Sequence, residues 1–559
     1  MCLHNPFTDG VTPFMDKLSP ATYDGFLKSY SIDPPENYNF AFDFIDKRAM
    51  ETPGMKAMIH VDNQENCHKF DLDFFSKQSS RLANGLVSKG ITKGDKVMLL
   101  LYRRVEFWVA MLALHKIGAI AIPSPFLLTE KDLEYRINFA EIKGIIAEDT
   151  LIPNVDRARK KCPDLTVFIG VGEKTPVNGW ERYTPLVDQG SDLFPRPTDS
   201  AGGNDPLLIF FSSGTTGAPK MVVHTHTYPL GHVPTGLYWH DLEPGDIQLT
   251  LADTGWGKAV WGKFYGQWMA GATVFVYDFR GKFEPKNLLK MISRHRVTTF
   301  CGPPTVYRFL IQEDLSQYDL SCLKHCTTAG ELLNDSVFHT WKKETGLSIF
   351  EGYGQTETTL LVATFPFMEP KPGSIGKPVP GYTIHLLDMD GQICPAGVEG
   401  EICIKLGDCH PTGLFSGYVK EADKTARACA NGYYHTGDKA WADEDGYLWF
   451  LGRVDDLIKS SGYRIGPFEV ESALVAHAAV LEAAVTGVPD DVRGQAVKAT
   501  VVLKTGFIPS STLTRELQDF VKKITAPYKY PRIIDYVDEL PKTISGKIKR
   551  AEIRAKDNA

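Results

Sequence analysis

Helix-like and strand-like patterns alternate through the first half of the chain, and this alternation constrains the fold more than any other feature. Phe74–Lys89 has helical spacing, and Lys96–Tyr102 is a short apolar run typical of a buried strand. Val105–Ile117 is apolar almost all round, as an internal helix is, and Ala119–Ile122 is the next short strand. Such alternation predicts α/β layers on mostly parallel sheets, and 559 residues are too many for a single core.

The pattern changes near Gly381 to short strands and turns. Asp445-Gly446 separates two of these strands and predicts a tight hairpin, so we expect a small β-barrel-like subdomain in this part of the chain. A charged stretch around Asp455 and a small α+β pattern follow. We therefore predict a large N-terminal domain over residues 1–454 and a small, mobile α+β C-terminal domain over residues 455–559.

A loop of small and hydroxylated residues follows the apolar run Leu207–Phe211, which predicts a buried strand. The residues of this loop are Ser212, Ser213, Gly214, Thr215, Thr216, Gly217, Ala218, Pro219 and Lys220. Small residues let the backbone fold tightly around an anion, and hydroxyl groups, exposed N–H groups and a lysine bind it. Pro219 departs from the common nucleotide loop Gly-x-x-x-x-Gly-Lys-Ser/Thr. The loop therefore predicts phosphate binding, but in a protein family other than the one that has the common nucleotide loop.

The bulk composition excludes several classes of partner. A net charge of −7 argues against a nucleic-acid surface, and the absence of a long apolar run argues against a membrane helix. The N-terminus has no leader pattern. Ten cysteines show no disulfide density, and Cys322 and Cys326 lack the second close pair of a structural zinc site. We expect a cytoplasmic protein with reduced cysteines.

Four further motifs accompany the Ser212–Lys220 loop. They are Tyr353-Gly354-Gln355-Thr356-Glu357, Tyr434-His435-Thr436-Gly437-Asp438, Gly452–Lys459 and Pro541–Lys547. In this order, and over nearly the whole chain, the set resembles the adenylate-forming superfamily of acyl-CoA synthetases, luciferases and peptide-synthetase adenylation domains. Within that superfamily, Ser460–Pro467 and Thr525–Arg532 are similar to the medium-chain acyl-CoA synthetases of fatty acid metabolism.

The resemblance implies a two-step ligase reaction that uses ATP, Mg²⁺ and coenzyme A. A carboxylate attacks the α-phosphate of ATP to give an acyl-adenylate and pyrophosphate, and the coenzyme A thiol then displaces AMP. Catalytic roles are implied for Lys547 between carboxylate and phosphate, for Thr356 at the α-phosphate and for Glu357 as the Mg²⁺ ligand. These groups would offset the like charges that meet in the first step.

The implied ATP site combines all five motifs. Asp438 would accept hydrogen bonds from the ribose, with support from Arg453, and Thr215, Thr216 and Lys220 would hold the β- and γ-phosphates. The complete implied set is Ser212, Ser213, Gly214, Thr215, Thr216, Gly217, Lys220, Gly330, Glu331, Glu351, Gly352, Tyr353, Gly354, Gln355, Thr356, Asp438, Arg453 and Lys547.

The second step is implied to need a rotation of the C-terminal domain. Asp455 matches the hinge position, where a residue absorbs a backbone rotation without touching substrate. After the rotation, the loop at Gly462 would line the coenzyme passage. The residues implied to contact coenzyme A are Ser461, Gly462, Tyr463, Arg493, Lys522 and Tyr530.

The acid is not fixed by the motifs, and straight-chain, branched and aromatic acids stay open. The implied acyl site contains Trp256, Gly354, Thr356 and Arg464. Gly354 replaces a tryptophan of acetate-specific relatives, so we expect room for several more carbons and expect Gly354→Trp to favour acetate. Lys258 and Lys263 are unusual in this segment. Their spacing of five places them on different helix faces, so we expect at most one to point inward.

Two other functions compete with this interpretation. An enzyme that loads a carrier protein is disfavoured by the coenzyme-type stretch at Ser461, by the missing acidic anchor after Asp253, and by the short segment after Lys547. A binding protein without catalysis is disfavoured because Lys547, Glu357 and Asp438 are all present. A homo-oligomer is left open.

Two groups of residues that could be taken for metal ligands are also disfavoured as metal sites. The histidines His224, His226, His232 and His240 have irregular spacing and no cysteine or carboxylate partner, and we expect His226 to line the active-site wall. Asp443 and Asp445 do not have the spacing of a calcium loop and predict a solvated turn.

Overall fold

The computed structural model describes residues 19–175, 178–212, 219–407, 410–461, 463–490, 492–542 and 548–557, apart from the side chains of Asp455 and Arg464. The predicted site residues Ser213–Gly217, Gly462 and Lys547 lie outside the described residues.

The described strands share four sheets. In chain order they are β1 (Lys56–Val61), β2 (Cys67–Asp71), β3 (Lys96–Leu100), β4 (Ile120–Pro123), β5 (Gly144–Glu148), β6 (Val167–Val171), β7 (Glu181–Arg182), β8 (Pro206–Ser212), β9 (Lys220–Thr225), β10 (Ile247–Thr250), β11 (Thr273–Tyr277), β12 (Thr299–Cys301), β13 (His325–Ala329), β14 (Ile349–Gly354), β15 (Leu360–Ala363), β16 (Lys377–Pro378), β17 (Ile384–Leu387), β18 (Gly400–Lys405), β19 (Gly417–Tyr418), β20 (Tyr433–Ala442), β21 (Leu448–Arg453), β22 (Ile458–Ser460), β23 (Tyr463–Ile465), β24 (Val480–Asp490), β25 (Gly494–Leu503) and β26 (Ile533–Tyr536).

The described α-helices alternate with these strands. They are α1 (Tyr23–Ser29), α2 (Lys47–Glu51), α3 (Leu72–Ser88), α4 (Val105–Ile117), α5 (Glu130–Ala140), α6 (Ile152–Ala158), α7 (Tyr183–Asp188), α8 (Gly257–Gly262), α9 (Tyr265–Met269), α10 (Pro285–Arg294), α11 (Pro304–Leu310), α12 (Asp335–Thr345), α13 (Ala422–Ala428), α14 (Pro467–Val475), α15 (Ser511–Ile524) and α16 (Arg550–Asp557). Shorter 3₁₀ or π segments are Phe40–Asp46, Asp149–Leu151, Arg159–Lys161, Tyr228–His232, Pro234–Trp239, Leu315–Gln317, Val454–Asp456 and Pro527–Lys529.

Two large sheets carry the N-terminal part of the chain. Their strand orders are β16-β15-β14-β13-β12-β10-β11-β1-β2 and β19-β9-β8-β4-β3-β5-β6-β7. Both are mainly parallel, with antiparallel strands at β2, β15 and β16 in the first and at β9 and β19 in the second. The predicted α/β architecture with mostly parallel sheets is confirmed.

Helix α4 has the bounds predicted from its apolar pattern, and nearly all of its residues are buried. Together with α3 it contributes to a core that also contains residues of both large sheets, among them Leu208 and Val274. Helix α3 begins at Leu72, two residues before the predicted start, because the Asp71 carboxylate accepts a hydrogen bond from the Phe74 N–H and caps the helix.

Two smaller sheets complete the chain. Strands β17-β18-β20-β21 form an antiparallel sheet that includes the predicted hairpin. At its turn, the Lys371 amine lies 2.6 Å from Asp443 and 2.7 Å from Asp445, so the two carboxylates hold a lysine. Strands β23-β22-β25-β24, with β26 beside β25, form the last sheet.

The sequence predicted reduced cysteines and no membrane helix, and the described residues bear on both predictions. Every cysteine among them is a free thiol. Every helix in the described ranges is too short or too polar to cross a membrane.

Candidate active site

The segment Tyr353–Glu357 connects three of the four sheets. It begins at the end of β14, in the nine-stranded sheet. Its side chains then contact β20 in the four-stranded sheet and the Tyr418 end of the eight-stranded sheet. The second and third predicted motifs, which lie about eighty residues apart in sequence, are therefore brought together.

Asp438 is the buried acceptor at this junction, with 5% of its surface exposed. One carboxylate oxygen accepts hydrogen bonds from the Tyr353 hydroxyl and from the Gln355 amide nitrogen, both at 2.6 Å. Arg453 lies opposite Asp438 in the β20–β21 register, with its Nε 4.0 Å from the other carboxylate oxygen. Burial and the neighbouring Asp438 charge raise the pKa of Tyr353 well above its ordinary value, so its hydroxyl stays a donor.

Gln355 is held from two sides. Its amide oxygen accepts a hydrogen bond from the Tyr434 hydroxyl at 2.8 Å, and its amide nitrogen also donates to the Thr436 carbonyl at 2.9 Å. These contacts fix which end of the amide faces Asp438. The alternating burial of β20 explains the arrangement, because Tyr434, Thr436 and Asp438 all point to the same face of the strand.

Glu357 and Thr356 lie beside β9 and its neighbouring strand β19. The Tyr418 hydroxyl donates to one Glu357 carboxylate oxygen at 2.8 Å, and the Lys220 amine lies 4.8 Å from the centre of the Tyr418 ring. His224, on β9, contacts the Thr356 carbonyl through Nε2 at 2.8 Å. The described end of the Ser212–Lys220 loop, which is predicted to bind phosphate, is thus close to the predicted metal ligand.

The residues around Glu357 fit a divalent magnesium ion. Mg²⁺ prefers carboxylate, phosphate and water oxygens. Glu357 is half-buried, and Tyr418 holds only one of its two oxygens in the contacts above. A carboxylate orientated in this way beside the phosphate loop is a suitable ligand.

Tyr418→Phe should weaken the response to Mg²⁺ because it removes the hydroxyl that orientates Glu357. A hydrogen bond to a charged group contributes about 1.5–3 kcal/mol, so we expect the Mg²⁺ concentration for half-maximal activity to rise about tenfold or more. The measurement is the Mg²⁺ dependence of ATP–pyrophosphate exchange. Tyr433→Phe is the matched control. It removes a tyrosine hydroxyl that is bonded to His385, which lies in the same four-stranded sheet as Tyr433. An equal shift in both variants would contradict the role of Tyr418.

The two predicted adenine segments, around Gly330 and around Glu351, also lie together. The Glu351 side chain, however, is bonded within the protein. Its buried carboxylate accepts a hydrogen bond from the Leu333 N–H at 2.9 Å, and burial raises its pKa to about 8. It therefore holds the loop that contains Gly330 and Glu331. Glu331 accepts a hydrogen bond from the Thr305 hydroxyl at 2.9 Å.

The C-terminal sheet and helices contact the N-terminal part of the chain near this loop. The Asn334 amide donates to the Ser472 carbonyl at 3.1 Å. Arg550 pairs with Glu471 at 2.6 Å and also interacts electrostatically with Glu331. Arg550 is three residues beyond Lys547 in the sequence. The chain that follows Lys547 is thus near the predicted adenine segment.

The described coenzyme-contact candidates form two local groups. The Ser461 N–H donates to the Arg493 carbonyl at 2.9 Å. The Lys522 amine lies 4.3 Å from the centre of the Tyr530 ring, and Arg532 lies over the same ring at 4.7 Å. Lys522 and Tyr530 were predicted together, whereas Arg532 was not singled out.

Tyr463 belongs to an exposed aromatic pair. It is 51% exposed, and its ring stacks on Tyr528 with the centroids 4.0 Å apart. Tyr528 was not predicted as a site residue. The sequence signal that could have identified it was its place within Thr525–Arg532, the stretch that is similar to the medium-chain acyl-CoA synthetases.

The prediction that Gly354 leaves open space is wrong, because the indole ring of Trp261 lies against it. A Cβ at Gly354 would lie 2.3 Å from the Trp261 ring and 2.5 Å from the Thr359 carbonyl. Trp239 packs in the same way on Gly352, at 2.6 Å from a Cβ there. The Gly354→Trp exchange would therefore collide with the existing wall, and a simple shift towards acetate is no longer expected.

Trp256 is partly exposed and precedes α8, whereas Trp261 is 7% exposed and lies within it. Sequence reasoning singled out Trp256 and missed Trp261. The only signal for Trp261 was its position five residues farther along the same acyl-site segment.

The prediction that at most one of Lys258 and Lys263 points inward is also wrong. The Lys258 amine donates to the Ala329 carbonyl at 2.8 Å, next to the adenine segment. Lys263 is 2% exposed, and its amine bonds to the Ala252 carbonyl. Lys263 follows the last residue of α8 with φ −154°, so the helix-face argument does not apply to it.

Burial and the Arg103 charge lower the pKa of Lys263 from its ordinary 10.5 to about 7. Because the unfolded chain then binds more protons, Lys263 makes the free energy of unfolding rise between about pH 7 and pH 10.5, by up to about 1.4 kcal/mol per pH unit. Lys263→Met should remove this rise. Thermal unfolding across that range tests it, with Lys282→Met as an exposed control. Parallel curves for wild type and Lys263→Met would refute the assignment.

The four clustered histidines are core residues. His224, His226, His232 and His240 are all essentially buried, and burial lowers their pKa values. His226 is fully buried with its ring 6.1 Å from that of His115, so the prediction that it lines the active-site wall is wrong. His224 is the member that reaches the site, through Thr356.

Two family models match the chain. Residues 45–419 match the model described as AMP-binding enzyme, and residues 469–547 match its C-terminal domain. The chain is 41% identical over 546 residues to acyl-coenzyme A synthetase ACSM3, mitochondrial, of Rattus norvegicus, covering 96% of this chain and 93% of the relative. It is 42% identical over 532 residues to ACSM5, mitochondrial, of Homo sapiens, covering 94% and 91%.

Solved structures of similar shape include two CoA ligases. The anthranilate CoA ligase AuaEII in complex with anthranoyl-AMP has a TM-score of 0.85 and 31% identity, covering 94% of this chain and 98% of that chain. A benzoate CoA ligase from Burkholderia xenovorans LB400 has a TM-score of 0.80 and 28% identity, covering 92% and 100%.

Proposed function

The chain belongs to the AMP-binding enzyme family as an AMP-forming acyl-CoA synthetase, and from that premise we propose that its acid is a short, branched aliphatic carboxylate. The reaction uses ATP and coenzyme A. In the first step a carboxylate oxygen bonds to the α-phosphorus and pyrophosphate leaves. In the second step the coenzyme A sulfur bonds to the acyl carbon, and AMP leaves with the former carboxylate oxygen.

The observation that carries the choice of acid is the contact between Trp261 and Gly354. The absence of a side chain at Gly354 would lengthen the pocket, but the Trp261 ring takes up that space. A long straight chain would have to displace a buried indole. A branched acid of a few carbons gains the burial of its methyl groups, about 0.8 kcal/mol for each CH₂.

We assign the nucleotide contacts to residues whose geometry supports them. Asp438 would accept from the ribose hydroxyls, because Tyr353, Gln355 and Arg453 hold its carboxylate in place. Lys220 would bind the departing pyrophosphate from the end of the phosphate loop. Thr356 would face the α-phosphate, and His224 holds its backbone through the carbonyl oxygen.

Magnesium completes the proposal for the first step. Glu357 is the residue that would hold Mg²⁺, which supplies positive charge to the phosphate oxygens when it is bound. Tyr418 orientates the Glu357 carboxylate. Lys547 would neutralise charge between carboxylate and phosphate.

A two-domain arrangement is part of the proposal. We assign residues 1–454 to the ATP and acyl sites and residues 455–559 to a mobile domain, with Asp455 as the hinge. Ser461, Gly462, Tyr463, Arg493, Lys522 and Tyr530 would contact coenzyme A after the rotation. Arg464 is assigned to the acyl site on resemblance alone.

A panel of acids with ATP, Mg²⁺ and coenzyme A tests the choice of substrate. We expect kcat/KM to be highest for branched acids of four or five carbons and to fall at least tenfold for octanoate and for benzoate. Equal or better use of octanoate would contradict the role of Trp261. Adenylation without coenzyme A thioester would favour a carrier-protein acceptor.

The compartment and the assembly state stay predictions. We propose a cytoplasmic location, although the similar relatives carry the word mitochondrial in their names. Cell fractionation tests the compartment, and light scattering tests whether the chain forms a homo-oligomer.

A further inference from the structure

Three metal-ligating side chains meet on the face of β20 that points away from Asp438. Cys403 and His435 are direct partners in the antiparallel β18–β20 register, and Glu401 lies two residues before Cys403 on β18. The burial of β20 alternates, so His435 lies on one face of the strand and Asp438 on the other. The group is therefore separate from the ribose site, although it shares a strand with it.

The two distances from His435 to the other members of this group are close to those between ligands of one ion. His435 Nδ1 lies 3.4 Å from the Cys403 sulfur and 3.0 Å from a Glu401 carboxylate oxygen. All three ligand atoms lie within 4.8 Å of one another. Tetrahedral zinc, with about 2.3 Å to sulfur and about 2.0–2.1 Å to nitrogen and oxygen, separates such atoms by about 3.3–3.6 Å. Only small side-chain adjustments would be needed.

The surroundings hold the ligands in position. The second Glu401 oxygen accepts a hydrogen bond from the Gly437 N–H at 2.8 Å, which fixes the carboxylate. Support of this kind for a ligand is typical of metal sites. The side chains of Glu401 and His435 are 23% and 28% exposed, so an ion could enter from solvent and keep a water as its fourth ligand.

A bound cation would also offset the negative charge in this group. A bound divalent cation offsets the Glu401 charge and stabilises the Cys403 thiolate, with release of one proton. Among the described residues, this is the only group of three or more such side chains within ligand distance.

We propose that Glu401, Cys403 and His435 bind a zinc ion that clamps β18 to β20. The mixed sulfur, nitrogen and oxygen donors suit Zn²⁺ better than Mg²⁺ or Ca²⁺, which take oxygen ligands. The ion would stabilise the sheet that carries Asp438. This site lies outside the acyl-CoA synthetase reaction and does not depend on the acid.

Cobalt is a suitable spectroscopic probe because it replaces zinc and gives a sulfur-to-metal charge-transfer band only when a thiolate binds it. We expect one equivalent of Co²⁺ to produce this band in the full chain, and Zn²⁺ to displace it. Cys403→Ser should abolish the band. Cys394→Ser, which removes another free thiol of the same part of the chain, should leave it unchanged.

Two further measurements separate binding from misfolding. Glu401→Gln should keep an acceptor for Gly437 and the thiolate band but weaken Zn²⁺ binding at least tenfold in calorimetry. Zn²⁺ affinity of the wild type should rise with pH between 6 and 8, by about tenfold per unit for one released proton. A band that persists in Cys403→Ser, or no band with wild type at one equivalent, would overturn the proposal.

Discussion

Lys547→Ala should lower the rate of acid-dependent ATP–pyrophosphate exchange by at least about 10²-fold, the usual effect of removing one group that stabilises transition-state charge. In the proposed first step a carboxylate approaches a triphosphate, and Lys547 would neutralise the developing charge. The second step should be spared, because thioester formation from supplied acyl-adenylate needs no such lysine in the rotated state. Both half-reactions can be followed separately with the same purified variant.

Lys542→Ala is the matched control. It removes a lysine five residues earlier, which pairs with Glu482 on the surface at 2.7 Å. We expect both half-reactions to stay within about threefold of wild type, since exposed ion pairs contribute at most about 1 kcal/mol. An equal loss of both half-reactions in Lys547→Ala would contradict the two-state account of the C-terminal domain.

Trp261→Ala should move the acid preference towards longer chains. Removing the indole opens the space beside Gly354 that the ring fills. Two additional buried CH₂ groups contribute about 1.6 kcal/mol, so the kcat/KM ratio of heptanoate to 2-methylbutyrate should rise by about tenfold or more. The measurement is kcat/KM for a series of acids under identical conditions.

Trp268→Phe controls for loss of packing near this helix. Trp268 is fully buried, and its indole N–H donates to the Ala57 carbonyl at 2.8 Å, so the exchange should reduce stability without changing the order of preferred acids. An unchanged order in Trp261→Ala, with activity retained, would show that Trp261 does not form the end of the acyl pocket.

The fold was accessible from local sequence patterns, and the grouping of the predicted nucleotide-site motifs was accessible from their resemblance to the adenylate-forming superfamily. The apolar run of α4 predicted its bounds, and the paired motifs around Gln355 and Asp438 predicted a junction that the hydrogen bonds describe. Small residues, hydroxyl groups and a lysine at fixed spacing are typical of a loop that binds phosphate. These signals do not depend on tertiary packing.

The packing of Trp261 at the proposed acyl site was not accessible in the same way. Gly354 alone suggests space, but whether that space is empty depends on Trp261, which is more than ninety residues away in sequence. Lys263 was misjudged because α8 ends just before it. His226 was misjudged because a histidine close to a phosphate loop can equally be packed in the core. The errors at Gly354 and His226 arose from tertiary contacts, and the error at Lys263 arose from the position of a helix end.

Transfer of a carboxylate oxygen to AMP is the most direct test of the account. With an acid labelled with ¹⁸O in its carboxylate, ATP and coenzyme A, the acyl carbon loses one labelled oxygen when the thiol displaces the adenylate. Mass spectrometry of the products should therefore find one ¹⁸O atom in each AMP and none in pyrophosphate. Unlabelled AMP, or ¹⁸O in an inorganic phosphate product, would contradict an acyl-adenylate intermediate.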